Sequence, residues 1–302
     1  MKRYLSLLLA LVLSLSCAGC SSAGPDPVAV QIDYEAAVVS YLGPVGTYTQ
    51  EACGVFFEKQ GEYIPYTTVQ EAVAALNEGE SNYSVIPQEN TIGGAVIDYV
   101  DTLIANTGVS VVGEVELPIS QNLLALPGAD PSDIHTVYSH AQGITQGKQW
   151  LEENLPAAQV IEVSSTAEGA RMVSEAKDPG YAAIASAACA DVYTLNILAA
   201  SIQNNDSNKT RFYVLSKDAP ATANAERLAF IAMGNAGELP DLMSAMNKEK
   251  MSLVAIHDRP LKTELGQYYY LIECADSSYE SYQKLTEKSN FEFRYLGSFD
   301  AL

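Results

Sequence analysis

The sequence predicts an α/β protein that carries a small ferredoxin-like module at its C-terminal end. From Val38 to about residue 217, short apolar strands alternate with amphipathic helices, which is the pattern of an α/β fold with mainly parallel sheets. From residue 227 to 302 the predicted order becomes βαββαβ, the order of a ferredoxin-like module. Residues 218–226 are small and polar with one proline, and they are predicted to be the linker between the two domains.

Residues 1–37 are predicted to lie outside the fold. Lys2 and Arg3 precede an apolar run of about 13 residues, which is shorter than a membrane-spanning helix and suits the core of a signal peptide. Two small residues before Cys20 resemble the lipobox of bacterial lipoproteins, although Cys17 stands where leucine is usual. This resemblance implies removal of residues 1–19, lipidation of Cys20, and an exported protein anchored to the cell envelope through a tether, residues 20–37. An uncleaved anchor and ordinary secretion are the alternatives.

The composition excludes several classes of function. Seventeen Lys and Arg against 37 Asp and Glu give a net charge of −20, so we expect no nucleic-acid partner. The five cysteines and three histidines do not have the spacing of a zinc site, so we expect no structural or catalytic zinc. The P-loop, GxGxxG and GxSxG motifs do not occur either.

The elements of the first domain follow from apolar runs and helix caps. A capping box, T-x-x-Q, begins a helix at Thr47, and Ser186 caps a later one. The segment Pro87–Thr91 is predicted to be a loop after a strand. The predicted strands are 38–42, 83–86, 135–138, 159–163 and 181–185, and the predicted helices are 47–57, 69–77, 95–105, 144–151, 167–176 and 187–194.

Small polar side chains recur where a predicted strand ends and a helix begins. These side chains are Thr47, Thr49, Asn90, Thr91, Ser139, Gln142, the residues 164–166, and Ser186. Ligands of open α/β sheets bind at the carboxyl ends of the strands, where helix N-termini offer N–H groups and partial positive charge. The pattern therefore predicts a site for a small polyanion, whereas the alternative is that these residues only cap helices.

The C-terminal module has the predicted strands 228–233, 253–256, 268–273 and 291–299. Its predicted helices are 237–250 and 277–288.

Four motifs carry a resemblance to the prephenate dehydratase family. They are Leu42–Ala52 (LGPVGTYTQEA), Ile86–Thr91 (IPQENT) with Gly93 and Gly94, Tyr138–Gln142 (YSHAQ) with Gln146, and Asn208–Phe212 (NKTRF). In order and spacing they resemble the catalytic domain of the family, and residues 227–302 look like its C-terminal ACT regulatory domain. The family's catalytic fold in turn resembles the two-lobed architecture of periplasmic solute-binding proteins, so the resemblance implies two lobes for residues 38–217.

The resemblance implies a cofactor-free reaction in phenylalanine biosynthesis, in which prephenate loses its ring carboxylate and ring hydroxyl to give phenylpyruvate, carbon dioxide and water. It places Thr210 at the leaving hydroxyl, with Asn90 and Gln146 orienting the substrate. Thr47, Thr91, Ser139, Ser165, Arg211 and Phe212 are the expected substrate-binding residues. Among these, Arg211 pairs with a substrate carboxylate or braces its loop, and Phe212 forms a wall.

Two segments of the C-terminal module depart from the family pattern. GEL (237–239) stands where the family has GAL, and HDRP (257–260) stands where it has ESRP. In relatives these segments form the phenylalanine site, so the resemblance implies Gly237, Leu239, Asp258, Arg259 and Pro260 as regulatory residues. Whether L-phenylalanine acts as an effector stays open, and a homodimer or homotetramer is expected by analogy. Gln88 is a further departure, since an apolar residue is common before Glu-Asn.

Two alternative functions remain. An export signal on an enzyme of this kind is unusual, and it suggests an exported lipoprotein that binds an aromatic acid without catalysis. Thr210 argues against this reading, because binding alone does not require a group at the leaving hydroxyl. Arogenate dehydratase is the second alternative, since arogenate differs from prephenate only by an amine in place of a ketone.

Overall fold

The computed structural model describes residues 32–217 and 225–302. The predicted signal peptide, Cys20, the tether up to residue 31 and residues 218–224 of the predicted linker lie outside the described residues. Within those two ranges, no helix is both long enough and apolar enough to cross a membrane.

The strands are β1 (Val38–Leu42), β2 (Glu62–Tyr66), β3 (Tyr83–Asn90), β4 (Gly94–Ala95), β5 (Ser110–Pro118), β6 (Asn122–Ala125), β7 (Thr136–Ser139), β8 (Gln159–Glu162), β9 (Tyr181–Ala185), β10 (Asn196–Ala199), β11 (Lys209–Ser216), β12 (Arg227–Asn235), β13 (Ser252–Pro260), β14 (Gln267–Ala275) and β15 (Glu292–Phe299). The helices are α1 (Tyr48–Phe56), α2 (Val69–Glu78), α3 (Ile97–Ala105), α4 (Ala141–Asn154), α5 (Thr166–Ala176), α6 (Ala188–Tyr193), α7 (Leu239–Lys248) and α8 (Tyr279–Lys288).

The first lobe is a mixed sheet with α1, α2 and α3 packed on it. Its strand order is β2-β1-β3-β11-β5, and β4 pairs with β3. Strands β1, β2 and β3 are parallel, while β11 runs antiparallel to both β3 and β5. Residues 32–37, the end of the predicted tether, pack against this lobe, where the Tyr34 ring lies 5.9 Å from that of Phe57.

The second lobe is a five-stranded sheet in the order β10-β6-β9-β7-β8 with α4, α5 and α6. The chain enters it after β5 and returns to the first lobe through β11. These two crossings lie side by side, because the Ile119 N–H donates to the Asn208 carbonyl at 2.8 Å. The first lobe is therefore assembled from two separate stretches of chain.

The C-terminal module is an antiparallel sheet in the order β13-β14-β12-β15 with two helices, α7 and α8. Its own core includes Phe230, Leu242 and Leu285. The other face of the sheet shares a core with the first lobe, in which Leu271 and Leu296 pack with Ile86, Tyr99 and Tyr213. The module is thus fixed to the first lobe by a common apolar interior.

Two predictions about the first domain are wrong. Its sheets are mixed rather than mainly parallel. In the first lobe β11 runs antiparallel to β3 and β5, and in the second lobe β6 runs antiparallel to β10 and β9. The segment Pro87–Asn90 is strand rather than loop, because it pairs with β11. Pro87 lacks an N–H for a ladder, but here it sits beside a register shift between Arg211 and Phe212, the setting in which a strand tolerates proline.

Candidate active site

A cavity of about 240 Å³ opens between the two lobes. The carboxyl end of β3 and the start of β11 form one wall, and the beginnings of α1, α4 and α5 form the others. It adjoins an outer space of about 490 Å³ that shares Leu42, Thr47, Thr49, Ser164 and Ser165 with it. The inner cavity is lined by Leu42, Thr47, Tyr48, Thr49, Pro87, Asn90, Ile119, Gln121, His140, Gln142, Gly143, Gln146, Ser164, Ser165, Thr166, Thr210 and Phe212.

Asn90 and Thr210 face each other across the β3–β11 ladder. The Asn90 Nδ2 donates to Thr210 Oγ1 at 2.9 Å and to Asn208 Oδ1 at 2.8 Å. Its Oδ1 accepts from the N–H groups of Ile92 and Gly93. Because the Thr210 oxygen accepts a hydrogen bond from the amide, its own proton remains available to a group in the cavity.

Gln146 enters the same cavity from α4. It is buried, and its Oε1 accepts from Gln121 Nε2 at 2.9 Å. Gln121 is also buried, and its Oε1 has no hydrogen-bond partner among the described residues. The pair brings two amide groups to the cavity, one from the crossing between the lobes and one from α4.

Three helix N-termini converge on the cavity. The N-caps are Thr47 for α1, His140 for α4 and Ser165 for α5, and each side chain accepts from a backbone N–H of its own first turn. The remaining first-turn N–H groups and the aligned peptide dipoles favour negative charge at these positions. No Lys or Arg lines either part of the cleft in the described chain. The cavity is therefore suited to hold carboxylates by dipoles and hydroxyl groups.

The two lobes are also tied together beside the cavity. Ser186 Oγ donates to the Gly46 carbonyl at 3.0 Å, and the Tyr193 hydroxyl donates to the Val45 carbonyl at 2.7 Å. Across the cleft, the Tyr48 hydroxyl donates to the Ser120 carbonyl at 2.5 Å. Ser186 thus joins the lobes and does not line the cavity.

Six of the nine catalytic and substrate-binding residues predicted from the sequence line the cavity: Thr210, Asn90, Gln146, Thr47, Ser165 and Phe212. Ser139 is fully buried and donates to the Ile184 carbonyl at 2.7 Å. Thr91 is exposed and accepts from the Lys209 N–H at 3.0 Å. These two support the backbone around the cavity and do not line it.

Arg211 points away from the cavity into a cluster of carboxylates. Its guanidinium lies 2.7 Å from Glu89, 3.2 Å from Glu114 and 2.8 Å from Glu273 of β14. Burial alone would lower the pKa of Arg211, but the negative charges of Glu273 and Glu114 more than offset this effect. The pKa is therefore raised above its ordinary value, and the guanidinium stays charged. Burial raises the pKa of Glu114 to about 7, with Glu273 as the next cause. Arg211 therefore braces strand β11 at the back of the site and does not line the cavity as a substrate-binding residue.

Gln121, Tyr48 and His140 line the cavity although the sequence prediction missed them. Gln121 lies in the crossing between β5 and β6, where the sequence has no periodic pattern of apolar residues that would indicate its position. The only signal was its place in a polar stretch, SQN, between two strands. In the described residues, no group of three or more His, Cys, Asp or Glu side chains is arranged to hold a metal ion.

The five predicted regulatory residues lie toward one end of the C-terminal sheet. Gly237 and Leu239 follow β12, and Asp258, Arg259 and Pro260 end β13. The two segments flank the start of β14, since the Ala236 N–H donates to the Gly266 carbonyl and the Leu261 N–H donates to the Gln267 carbonyl. Arg259 forms a bidentate ion pair with Asp101 of α3, with N–O distances of 2.5 and 2.8 Å.

Fold and site together define a two-lobed α/β protein with a polar cleft between the lobes, flanked by three helix N-termini and holding a fixed hydroxyl–amide pair. The prephenate dehydratase family model matches residues 39–220, and the chain belongs to this family.

Relatives agree over most of the chain. The bifunctional chorismate mutase/prephenate dehydratase of Aquifex aeolicus is 33% identical over 268 residues, which are 86% of this chain and 73% of that protein. The prephenate dehydratase of Lactococcus lactis subsp. cremoris is 33% identical over 249 residues, 80% of this chain and 88% of its own. The crystal structure of the Arthrobacter aurescens prephenate dehydratase in complex with L-Phe superposes with a TM-score of 0.78 at 27% identity, covering 87% of this chain and 89% of that one.

Proposed function

We propose that the protein converts prephenate to phenylpyruvate, carbon dioxide and water without a cofactor. The observation that carries this proposal is the Asn90–Thr210 pair, held in a cleft without Lys or Arg in the described chain and flanked by three helix N-termini. Family membership and the names of the relatives support the same reaction.

The reaction needs electron movement within the substrate alone. The bond from the ring to its carboxylate breaks, carbon dioxide leaves, and the electron pair moves into the ring. The ring C–O bond then breaks with the electron pair going to oxygen, and the resulting hydroxide takes a proton to become water. The electron pair released when carbon dioxide leaves departs with the hydroxide, so the ring becomes aromatic without net oxidation and no external electron acceptor is required.

Thr210 stabilises the departing oxygen. Its hydroxyl accepts from Asn90 and is therefore oriented to donate its own proton into the cavity. An alcohol is too weak an acid to transfer that proton fully, so Thr210 acts by hydrogen bonding to the developing negative charge while water supplies the proton.

The cleft also fits the fate of the two carboxylates. The ring carboxylate loses its charge as carbon dioxide leaves, so a strong cation beside it would stabilise the ground state more than the transition state. Helix dipoles and hydroxyl groups bind the dianion while stabilising its ground state less strongly than a cation would. Gln146 of the second lobe and Thr47 of the first lobe both line the cavity, which supports a role for them in orienting the substrate.

The proposal is tested by prephenate turnover with two matched variants of Thr210. Thr210→Val removes the hydroxyl with little change of shape, and we expect kcat to fall about 10²- to 10³-fold with KM little changed. Thr210→Ser keeps the hydroxyl and should keep most of the activity. Wild-type activity that survives in Thr210→Val would refute the assigned role.

The same assay separates the alternatives. Arogenate in place of prephenate gives the ratio of the two kcat/KM values and identifies the preferred substrate. Calorimetric binding of prephenate without any turnover would favour an exported binding protein over an enzyme.

We further propose that residues 227–302 are an ACT regulatory domain with L-phenylalanine as its effector. The βαββαβ order and the strand order β13-β14-β12-β15 support a ferredoxin-like module, and the Arthrobacter relative was crystallised with L-Phe. Inhibition of turnover by L-phenylalanine, with D-phenylalanine as the control, tests this. Arg259→Gln should weaken the inhibition, and Asp101→Asn separates a role of Arg259 in effector binding from its ion pair.

Assembly and location complete the proposal. β13 is an edge strand with the exposed side chains Leu253 and Val254, which supports a homodimer or homotetramer formed through this module. Light scattering of wild type and Leu253→Asp tests it, since the variant should dissociate.

Export with lipidation at Cys20 is tested by labelling cells with a fatty acid, where Cys20→Ser should lose the label.

A further inference from the structure

The C-terminal module sends one acidic side chain into the back of the catalytic lobe. Glu273 of β14 is 0% exposed, although a carboxylate is among the side chains least often fully buried. Its Oε1 lies 2.8 Å from Arg211 and 3.4 Å from Arg227. Its Oε2 accepts from Tyr213 at 2.6 Å and from Gln88 at 2.7 Å. Both oxygens are thus fully engaged.

Two partners of Glu273 lie within two positions of Thr210 and Asn90 in the sequence. Arg211 directly follows Thr210 on β11, and Gln88 lies two residues before Asn90 on β3. Since side chains alternate along a strand, fixing Arg211 on one face of β11 also fixes Thr210 on the other. Thr210 and Phe212 line the cavity, whereas Arg211 and Tyr213 reach Glu273.

The pairing of β3 with β11 is interrupted close to the site. The β3–β11 pairing shifts register between Arg211 and Phe212, one residue after Thr210. A bulge of this kind leaves one residue without a ladder partner and interrupts the hydrogen bonds that would otherwise hold the strand. The residue without a partner is Gln88 of β3, and its side-chain amide donates to Glu273 at this point. Strand β11 stays paired with β5 here, and Arg211 adds side-chain bonds to Glu273, Glu114 and Glu89.

We propose that Glu273 is a positioning residue of the active site, so that a side chain of the C-terminal module sets the geometry of Thr210 and Asn90. The kinetic part of this proposal rests on the proposed function. Glu273 does not touch the cavity, so it acts through Arg211 and Gln88. Catalysis then depends on the docked module even when no effector is bound.

The chain offers a matched control one residue from Thr210 on the other side. Lys209 pairs with Glu116 of β5, but both side chains are about half exposed, and exposed ion pairs contribute little. Glu273→Gln and Glu116→Gln therefore make the same chemical change in the ion-pair partners of Arg211 and Lys209, the two neighbours of Thr210. Gln88 Oε1 has no partner among the described residues, so it can accept from the new amide and help the first variant to fold.

The experiment measures kcat and KM of the full chain for prephenate. We expect kcat of Glu273→Gln to fall about ten- to a hundredfold, the usual consequence of a small misplacement, with KM within about twofold because the helix N-termini are unchanged. Glu116→Gln should match wild type. A variant that only loosened the fold would alter KM as well. Equal kcat for Glu273→Gln and wild type would overturn the proposal.

Two further measurements cover the remaining outcomes. If Glu273→Gln does not fold, Glu273→Asp keeps the charge but withdraws it by one methylene, and unchanged kcat there overturns the proposal. If wild type does not turn over prephenate, the proposed function fails on its own. Amide hydrogen exchange of residues 209–213 then decides: faster exchange in Glu273→Gln than in Glu116→Gln supports the positioning role, and equal exchange refutes it.

Discussion

Asn90 donates from its amide nitrogen to the hydroxyl of Thr210 at 2.9 Å, and the two residues are cross-strand partners at the ends of β3 and β11. The same amide nitrogen also lies 3.1 Å from the Lys209 carbonyl oxygen. One amide group therefore fixes the hydroxyl, the neighbouring turn and the strand pairing at once. The direction of the Thr210 hydroxyl therefore depends on the β3–β11 register, which places Asn90 opposite Thr210, as well as on the hydrogen bond between their side chains.

Asn90→Asp should abolish most of the activity. A carboxylate has the same shape but cannot donate to Thr210, Lys209 or Asn208, so Thr210 loses its orientation. We expect kcat to fall at least about 10²-fold, together with about 1–3 kcal/mol of stability from the lost buried hydrogen bonds. Asn106→Asp makes the same change away from the cleft, and normal kcat there is the control. An Asn90→Asp enzyme with normal kcat would contradict the assigned geometry.

The affinity for substrate should not weaken as salt is added. The chain carries a net charge of −20, and no Lys or Arg lines the cleft in the part of the chain that is described. Salt therefore screens the repulsion between the negatively charged protein and a dianionic substrate. It has few attractive ion pairs with the substrate to weaken. KM measured between about 20 and 200 mM NaCl should stay constant or fall. A severalfold rise in KM would mean that a cation holds the substrate.

Glu114 should make the folded state less stable as the pH rises. Its pKa in the folded chain is about 7, against an ordinary value of 4.5, chiefly because it is buried. Between these values the unfolded chain has lost the proton that the folded chain keeps, so the free energy of unfolding falls with rising pH, by at most roughly 3 kcal/mol. The groups that face Glu114 are Glu273, Arg211 and Arg227.

Urea unfolding of wild type and Glu114→Gln at about pH 5 and about pH 8 checks this prediction. The amide resembles the protonated carboxyl, so the two proteins should have similar stability at the lower pH. At the higher pH the variant should be the more stable one. A wild type that gains stability relative to the variant as the pH rises would contradict the raised pKa.

Gly143→Ala should disturb the start of α4. A Cβ at this position would lie 2.4 Å from the Ser139 Oγ, which itself donates to the Ile184 carbonyl. The buried serine must move and its hydrogen bond weakens, so we expect a loss of about 1–3 kcal/mol. In Gly108→Ala the new Cβ meets nothing within 4 Å. Thermal unfolding should therefore show a lower Tm for Gly143→Ala alone, and equal values would refute the steric argument.

Several parallel strands and the cap of α1 were predicted from the sequence, because both depend on neighbouring residues. Strand β2, which is parallel to β1, was not predicted. The prediction that Ser186 caps a helix is wrong, because the N-cap of α6 is Ala187 and Ser186 donates to the Gly46 carbonyl instead. The strands Val38–Leu42 and Tyr181–Ala185 have the predicted bounds, and the predicted capping residue Thr47 begins α1. Strand β5 was not predicted, because Gly113, Glu114 and Glu116 interrupt its apolar pattern. Glu114 is buried there and accepts a hydrogen bond from Arg211, which is distant in sequence.

In the candidate site, too, the sequence did not reveal what depends on residues distant in sequence. Motif resemblance identified Thr210, Asn90 and Gln146, which the fold does bring into one cavity. It did not separate Thr210 from Arg211, since adjacent residues of a strand point to opposite faces and the strand face was unknown. The role of Arg211 became visible only with the position of Glu273, which lies in another domain.

The crossing of the chain between the lobes also dictates an order of assembly during synthesis. Asn90 and Thr210 are separated by 120 positions, so a ribosome adding about 5–20 residues per second needs roughly 6 to 24 s to produce the second after the first. Throughout that interval β3 has an open edge and Glu114 lacks its guanidinium. The nascent first lobe is thus a half-built sheet that must be kept from pairing with other chains until β11 arrives.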